Sequence, residues 1–60
     1  MTRWVTTTQP AAELHADPTP PVQHDDGTEV TFFSTAFGKK FARVVERSGF
    51  TFWMREIDTP

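Results

Sequence analysis

Sixty residues allow one domain at most, and a chain this short buries only about 60% of its unfolded surface. It contains no cysteine, which excludes disulfides and thiolate zinc sites as the staples that small scaffolds usually need. The formal net charge of −2 is divided along the chain, the first 33 residues summing to −4 and the remainder to +2. That composition does not read as a basic nucleic-acid-binding domain.

Residues 2–8, TRWVTTT, suit a pleated, half-buried strand, with Trp4, Thr6 and Thr8 sharing a face. QPAAELHADPTPP follows and holds four of the five prolines. Pro18, Pro20 and Pro21 deny it a continuous helix and favour extended geometry. Residues 1–20 are therefore expected to form an N-terminal strand and an extended Pro-rich arm, ahead of a small module over 21–60.

VQHDDGTEVTFF predicts a β-hairpin over about 21–33. Asp26-Gly27 is placed as its two-residue turn, and Val30 and Phe32 face away from Thr31 and Phe33. The next segment sorts best at helical spacing. Phe37, Phe41, Val44, Val45 and Ser48 align on one face, opposite Lys39, Lys40, Arg43, Glu46 and Arg47. Ser34 or Thr35 would be the N-cap and Gly49 the left-handed C-terminal residue, predicting an amphipathic helix over about 35–48. A C-terminal strand is expected over about 50–57. One of its faces carries Phe50, Phe52 and Met54, the other Thr51, Trp53, Arg55 and Ile57. The fold class expected is α+β. The final strand could pair in parallel with 28–33 or with the N-terminal strand, and no internal repeat is apparent.

His15, Asp17, His24, Asp25 and Asp26 are the only metal-like residues, but they share no fixed spacing on one element, and turn chemistry accounts for Asp25, Asp26 and Gly27. No nucleophile–base pairing or glycine-rich phosphate loop is evident, so neither catalysis nor a metal or cofactor is expected. Eight aromatic rings are too many for so small a core to hide, and Trp4, Phe33, Trp53 and Ile57 are the expected leftovers. Exposed aromatic side chains mark protein interfaces. The leading expectation is a non-enzymatic interaction or assembly protein that self-associates or docks on a larger complex. The alternative is a small DNA- or RNA-binding regulator using Lys39, Lys40, Arg43 and Arg47 on the helix face. Residues 1–10 contain no apolar run of signal-peptide length, and no window approaches the ~20 apolar residues of a membrane span. A cytoplasmic protein with no membrane partner is expected.

Overall fold

The computed structural model describes residues 2–58, which form one antiparallel sheet. Its strands are β1 (Thr2–Thr7), β2 (His15–Ala16), β3 (Val22–Gln23), β4 (Glu29–Ser34), β5 (Lys40–Val45) and β6 (Thr51–Asp58). β4, β5 and β6 form a meander, and β1 adds to the free side of β6, giving the order β1-β6-β5-β4-β2. β2 and β3 divide the outer side of β4 between them: His15 and Ala16 lie opposite Ser34 and Phe33, and Val22 and Gln23 opposite Val30 and Glu29. β1 and β2, from the N-terminal third, thus share one sheet with the later strands.

Three hairpin turns of a single design connect β3 to β4, β4 to β5 and β5 to β6. In each, a glycine N–H donates to the carbonyl three residues earlier: Gly27 to His24 (3.0 Å), Gly38 to Thr35 (3.0 Å) and Gly49 to Glu46 (2.8 Å). The first residue of each turn also donates to the carbonyl just after the glycine, as the Glu46 N–H does to Phe50 at 2.8 Å. The glycines hold φ between 82° and 93°, while no other described residue has positive φ. This is a type I turn closed by a left-handed glycine, one residue longer than a two-residue hairpin loop. The two-residue turn expected at Asp26-Gly27 is corrected accordingly. Asp26 contributes differently, its Oδ1 accepting from the Thr28 N–H at 2.9 Å. That bond holds the Asp26 carboxyl below its ordinary value.

The α+β expectation is overturned, because no helix forms among the described residues and the fold is all-β. Residues 35–48, expected as the amphipathic helix, are a turn followed by β5. The signals taken for helix caps are turn signals. Thr35 Oγ1 accepts from the Lys39 N–H at 3.2 Å, as an N-cap oxygen would, and Gly49 takes the left-handed conformation of a helix C-terminus within a hairpin. What decides the matter is pairing on both sides. Phe41 to Val45 find partners in β4 and in β6, including Val30↔Val44↔Phe52 and Phe32↔Ala42↔Met54. A helix here would leave β4 and β6 each with one side unpaired. β6 accordingly pairs with β5 and β1, both antiparallel, and not in parallel with β4.

Alternation along the paired strands assigns the two faces. Val22, Val30, Phe32, Ala42, Val44, Phe52, Met54, Thr6 and Trp4 share the inner face. Strands lie about 4.8 Å apart, so β1 and β4, separated by two strands, would stand about 14 Å apart in a flat sheet. The Trp4 and Phe32 ring centroids are nevertheless only 5.9 Å apart. The sheet therefore curls around its inner face far enough for side chains of β1 and β4 to meet. Ala42 lies in the middle of this concavity, 2% exposed, and its small side chain leaves room for the two rings to meet above it. With Val44, 6% exposed, it is the whole of the buried apolar core among the described residues.

Candidate functional site

The outer, convex face carries what the core cannot take. β4 contributes Glu29, Thr31 and Phe33; β5 Phe41, Arg43 and Val45; β6 Thr51, Trp53, Arg55 and Ile57; β1 Arg3, Val5 and Thr7. Phe33 and Phe41 are direct cross-strand partners, as are Arg43 and Trp53. The Phe33 and Trp53 rings stand 5.6 Å apart at 44°, and the Arg43 guanidinium carbon lies 5.4 Å from the Phe33 centroid. The result is a half-exposed cluster of two rings and a cation at the middle of the face. Aromatic pairing and cation–π contact each contribute about 0.5–1 kcal/mol at such sites. Arg43 Nε is buried within the cluster and makes no hydrogen bond.

Of the residues expected at a protein interface, Phe33 and Trp53 are brought together here. Ile57 shares their face, opposite Arg3, and Trp4 lies on the other side of the sheet against Phe32. The four cations expected on one helix face are dispersed because that helix does not exist. Lys39 ends the β4–β5 turn, Lys40 opens β5 on the inner-face side, Arg43 is on the outer face, and Arg47 lies in the β5–β6 turn against Gly27. Phe37 and Phe50, expected to pack in the core, are the most exposed large apolar residues, at 92% and 61%. Phe37 occupies a turn tip, and Phe50 follows Gly49 with its ring 6.0 Å from Phe52.

Arg3, Arg55 and Phe41 belong to the outer face and were not among the expected site residues. Arg55 was legible from the alternation that groups it with Trp53. Phe41 was hidden by the helical reading, and Arg3 by the unassigned pairing of β1.

Lys40 is already engaged. Its Nζ donates to Asp17 Oδ2 at 2.8 Å, and Asp17 Oδ1 accepts from the Thr19 N–H at 3.0 Å. The Asp17 N–H donates to the Phe32 carbonyl at 3.1 Å. Asp17 therefore pins the Pro-rich segment to the edge of β4 through its backbone and to β5 through its carboxylate. The Lys40 ammonium, and after it the Thr19 N–H, hold the Asp17 carboxyl well below the usual carboxylate range, and the Lys40 ammonium is raised in turn. Because the folded value of Asp17 lies below its ordinary 3.8, its contribution to stability is complete above that value. It is lost as pH falls further toward the folded value. The urea midpoint of Asp17→Asn should thus lie below that of the wild type at neutral pH, with the gap narrowing at about pH 2. A gap independent of pH would show that the pair does not contribute to folding.

The inner face also leaves an open cavity of about 340 Å³, lined by Trp4, Val22, His24, Val30, Phe32, Ala42, Val44 and Met54. Apart from His24 at its edge its walls are apolar, and they are the core itself at the point where the curl does not close.

Among the described residues, no three His, Asp or Glu side chains are placed to hold a metal ion, and no helix is long and apolar enough to cross a membrane. No protein-family model matches the chain, and no curated protein or solved structure matches it either.

Proposed function

We propose that this protein is a non-enzymatic interaction or assembly module that docks on a protein partner through the outer face of its sheet. The observation that carries this reading is the Phe33–Trp53–Arg43 cluster, partly exposed at the centre of a face on which no strand of the described chain packs. Phenylalanine and tryptophan rings with an adjacent arginine have the composition of binding hot spots. The size of the core supports the same reading. With only Ala42 and Val44 buried among the described apolar residues, burial of the second apolar face is the largest source of added stability open to the chain. The nucleic-acid alternative loses its helix face, and Arg43 alone of its four cations stands on the outer face.

The test is co-purification with the intact chain as bait, followed by reconstitution with the isolated partner. Wild type and Phe37→Ala should retain the same protein, while Trp53→Ala, still folded by circular dichroism, should lose it. Retention of the same proteins by Trp53→Ala would reject the outer face as the docking surface. A salt-sensitive complex with oligothymidylate, in place of any protein, would reject the reading as a whole.

A further inference from the structure

We propose that the outer face takes an extended, acidic segment of a partner protein, with carboxylates on Arg43 and Arg55 and apolar side chains on Phe33 and Trp53. This rests on the protein-interaction reading above and names the partner's chemistry. Charge is the first argument. The outer face holds Arg3, Arg43 and Arg55 against Glu29 alone, and Glu29 already accepts from Gln23 Nε2 at 3.0 Å. The chain as a whole is at −2, so its acidic side chains are concentrated away from this face. Lys40, the cation nearest the other side of the sheet, is already paired with Asp17. The separation of charge runs between faces, with the arginines and the rings on the same one.

The geometry of Arg43 is the second argument. A guanidinium laid on an aromatic ring keeps its N–H groups in its own plane, where a carboxylate can take them two at a time. The Arg43 guanidinium carbon lies 5.4 Å from the Phe33 centroid and its Nε is buried, so the terminal N–H groups are the ones a carboxylate would take. Register supplies the spacing. Arg43 pairs with Trp53 across β5 and β6, and Phe41 pairs with Arg55, so the two arginines are diagonal neighbours on adjacent strands, about 7–8 Å apart, close to the ~6.8 Å same-face step of an extended chain. An extended peptide repeats its side chains on one face at that interval. It can therefore present two carboxylates, two residues apart, to Arg43 and Arg55.

Two other occupants fit less well. A second copy packed face to face would set arginines against arginines, a like-charge arrangement that opposes association. Single-stranded nucleic acid needs free ring faces for its bases, but one face of Phe33 carries Arg43 and its ring packs against Trp53. The net negative charge of the chain also repels a polyphosphate, whereas a short segment with two or three carboxylates matches the arginines present.

The experiment selects a phage-displayed library of random dodecapeptides on the immobilised full chain at low salt and measures the synthetic consensus peptide by calorimetry. Enriched peptides should carry Asp or Glu in excess of the unselected library, with acidic residues two positions apart. Arg55→Gln, at an exposed position, and Arg43→Gln should each weaken the consensus peptide about tenfold, and Trp53→Ala should abolish its binding. Enriched peptides without an acidic excess, still lost in Trp53→Ala, would overturn the acidic assignment while leaving the interaction reading in place. So would a stable dimer of the chain broken by Trp53→Ala. Enrichment no greater than on immobilised Trp53→Ala would overturn both.

Discussion

Gly27→Ala should lower the thermal midpoint of the protein well below that of Gly38→Ala, although both replace the closing glycine of the same kind of turn. The shared cost is conformational. Both glycines hold positive φ, 91° and 82°, and an L-residue pays roughly 1–2 kcal/mol there. The difference is spatial. A Cβ built on Gly38 meets nothing within 4 Å, whereas one on Gly27 would lie 2.9 Å from Arg47 Cβ and 3.0 Å from Arg47 Cγ. Cβ is anchored to the backbone and cannot swing aside, so the β5–β6 turn would have to move. Overpacking of that kind costs a further ~1–3 kcal/mol. In a domain of this size each kcal/mol is worth about 4–8 °C, so the two variants should differ by at least about 5 °C. Arg47→Gly removes the opposing Cβ and should recover a good part of the loss in the double variant. Arg47→Ala, which keeps that Cβ, should recover less. Equal midpoints for Gly27→Ala and Gly38→Ala would show that the contact between the two turns carries no energy.

Those glycines also show why the fold was only partly legible. Gly27, Gly38 and Gly49 fall eleven residues apart each time. That is one strand and one turn of a meander, and each glycine closes the same turn. No repeat was seen because nothing else in the three segments repeats: the turn sequences are HDDG, TAFG and ERSG. Short periods dominate the eye, and over residues 37–48 the helical period accommodates Phe37, Phe41, Val44 and Val45 on one side. In the structure Phe37 is at a turn tip, Phe41 and Val45 face outward and Val44 faces inward.

A strand with apolar residues on both faces has no clean alternation to display, and β5 is the central strand of a sheet that is apolar on both sides. β4 and β6 were easier, since Val30, Phe32, Phe52 and Met54 separate from Phe33 and Trp53 under simple alternation. Of the outer cluster, the two rings were readable on those terms. Arg43 was not, because its place over Phe33 depends on the β4–β5 register, which the turn at Thr35–Gly38 sets.

The other large effect concerns the inner face. Trp4→Ala should destabilise the protein more than Trp53→Ala, even though both tryptophans are half-exposed. Trp4 sits on β1, an edge strand that pairs only with β6, yet its ring reaches Phe32 on the far side of the curl at 5.9 Å. That contact links β1 to β4 across the concave face, beside Ala42. Truncating a fully buried tryptophan costs about 3–5 kcal/mol, and a half-exposed one roughly half of that. Loss of the tilted aromatic pair adds about 0.5–1.5 kcal/mol. A domain of this length has a total stability of only roughly 3–9 kcal/mol, so Trp4→Ala should sit near its unfolding midpoint in little or no urea. Amide exchange should accelerate in β1 first, since that strand loses its anchor while β4, β5 and β6 keep their ladders. Trp53→Ala loses a comparable half-exposed ring and its own tilted pair with Phe33, about 2–3 kcal/mol, but keeps the Trp4–Phe32 contact across the curl, so a smaller loss than for Trp4→Ala and a native spectrum are expected. If Trp53→Ala proved as damaging as Trp4→Ala, the outer cluster would be a second core rather than a docking surface. The same pair of variants therefore measures how the sheet is held closed and whether its convex face is free to bind.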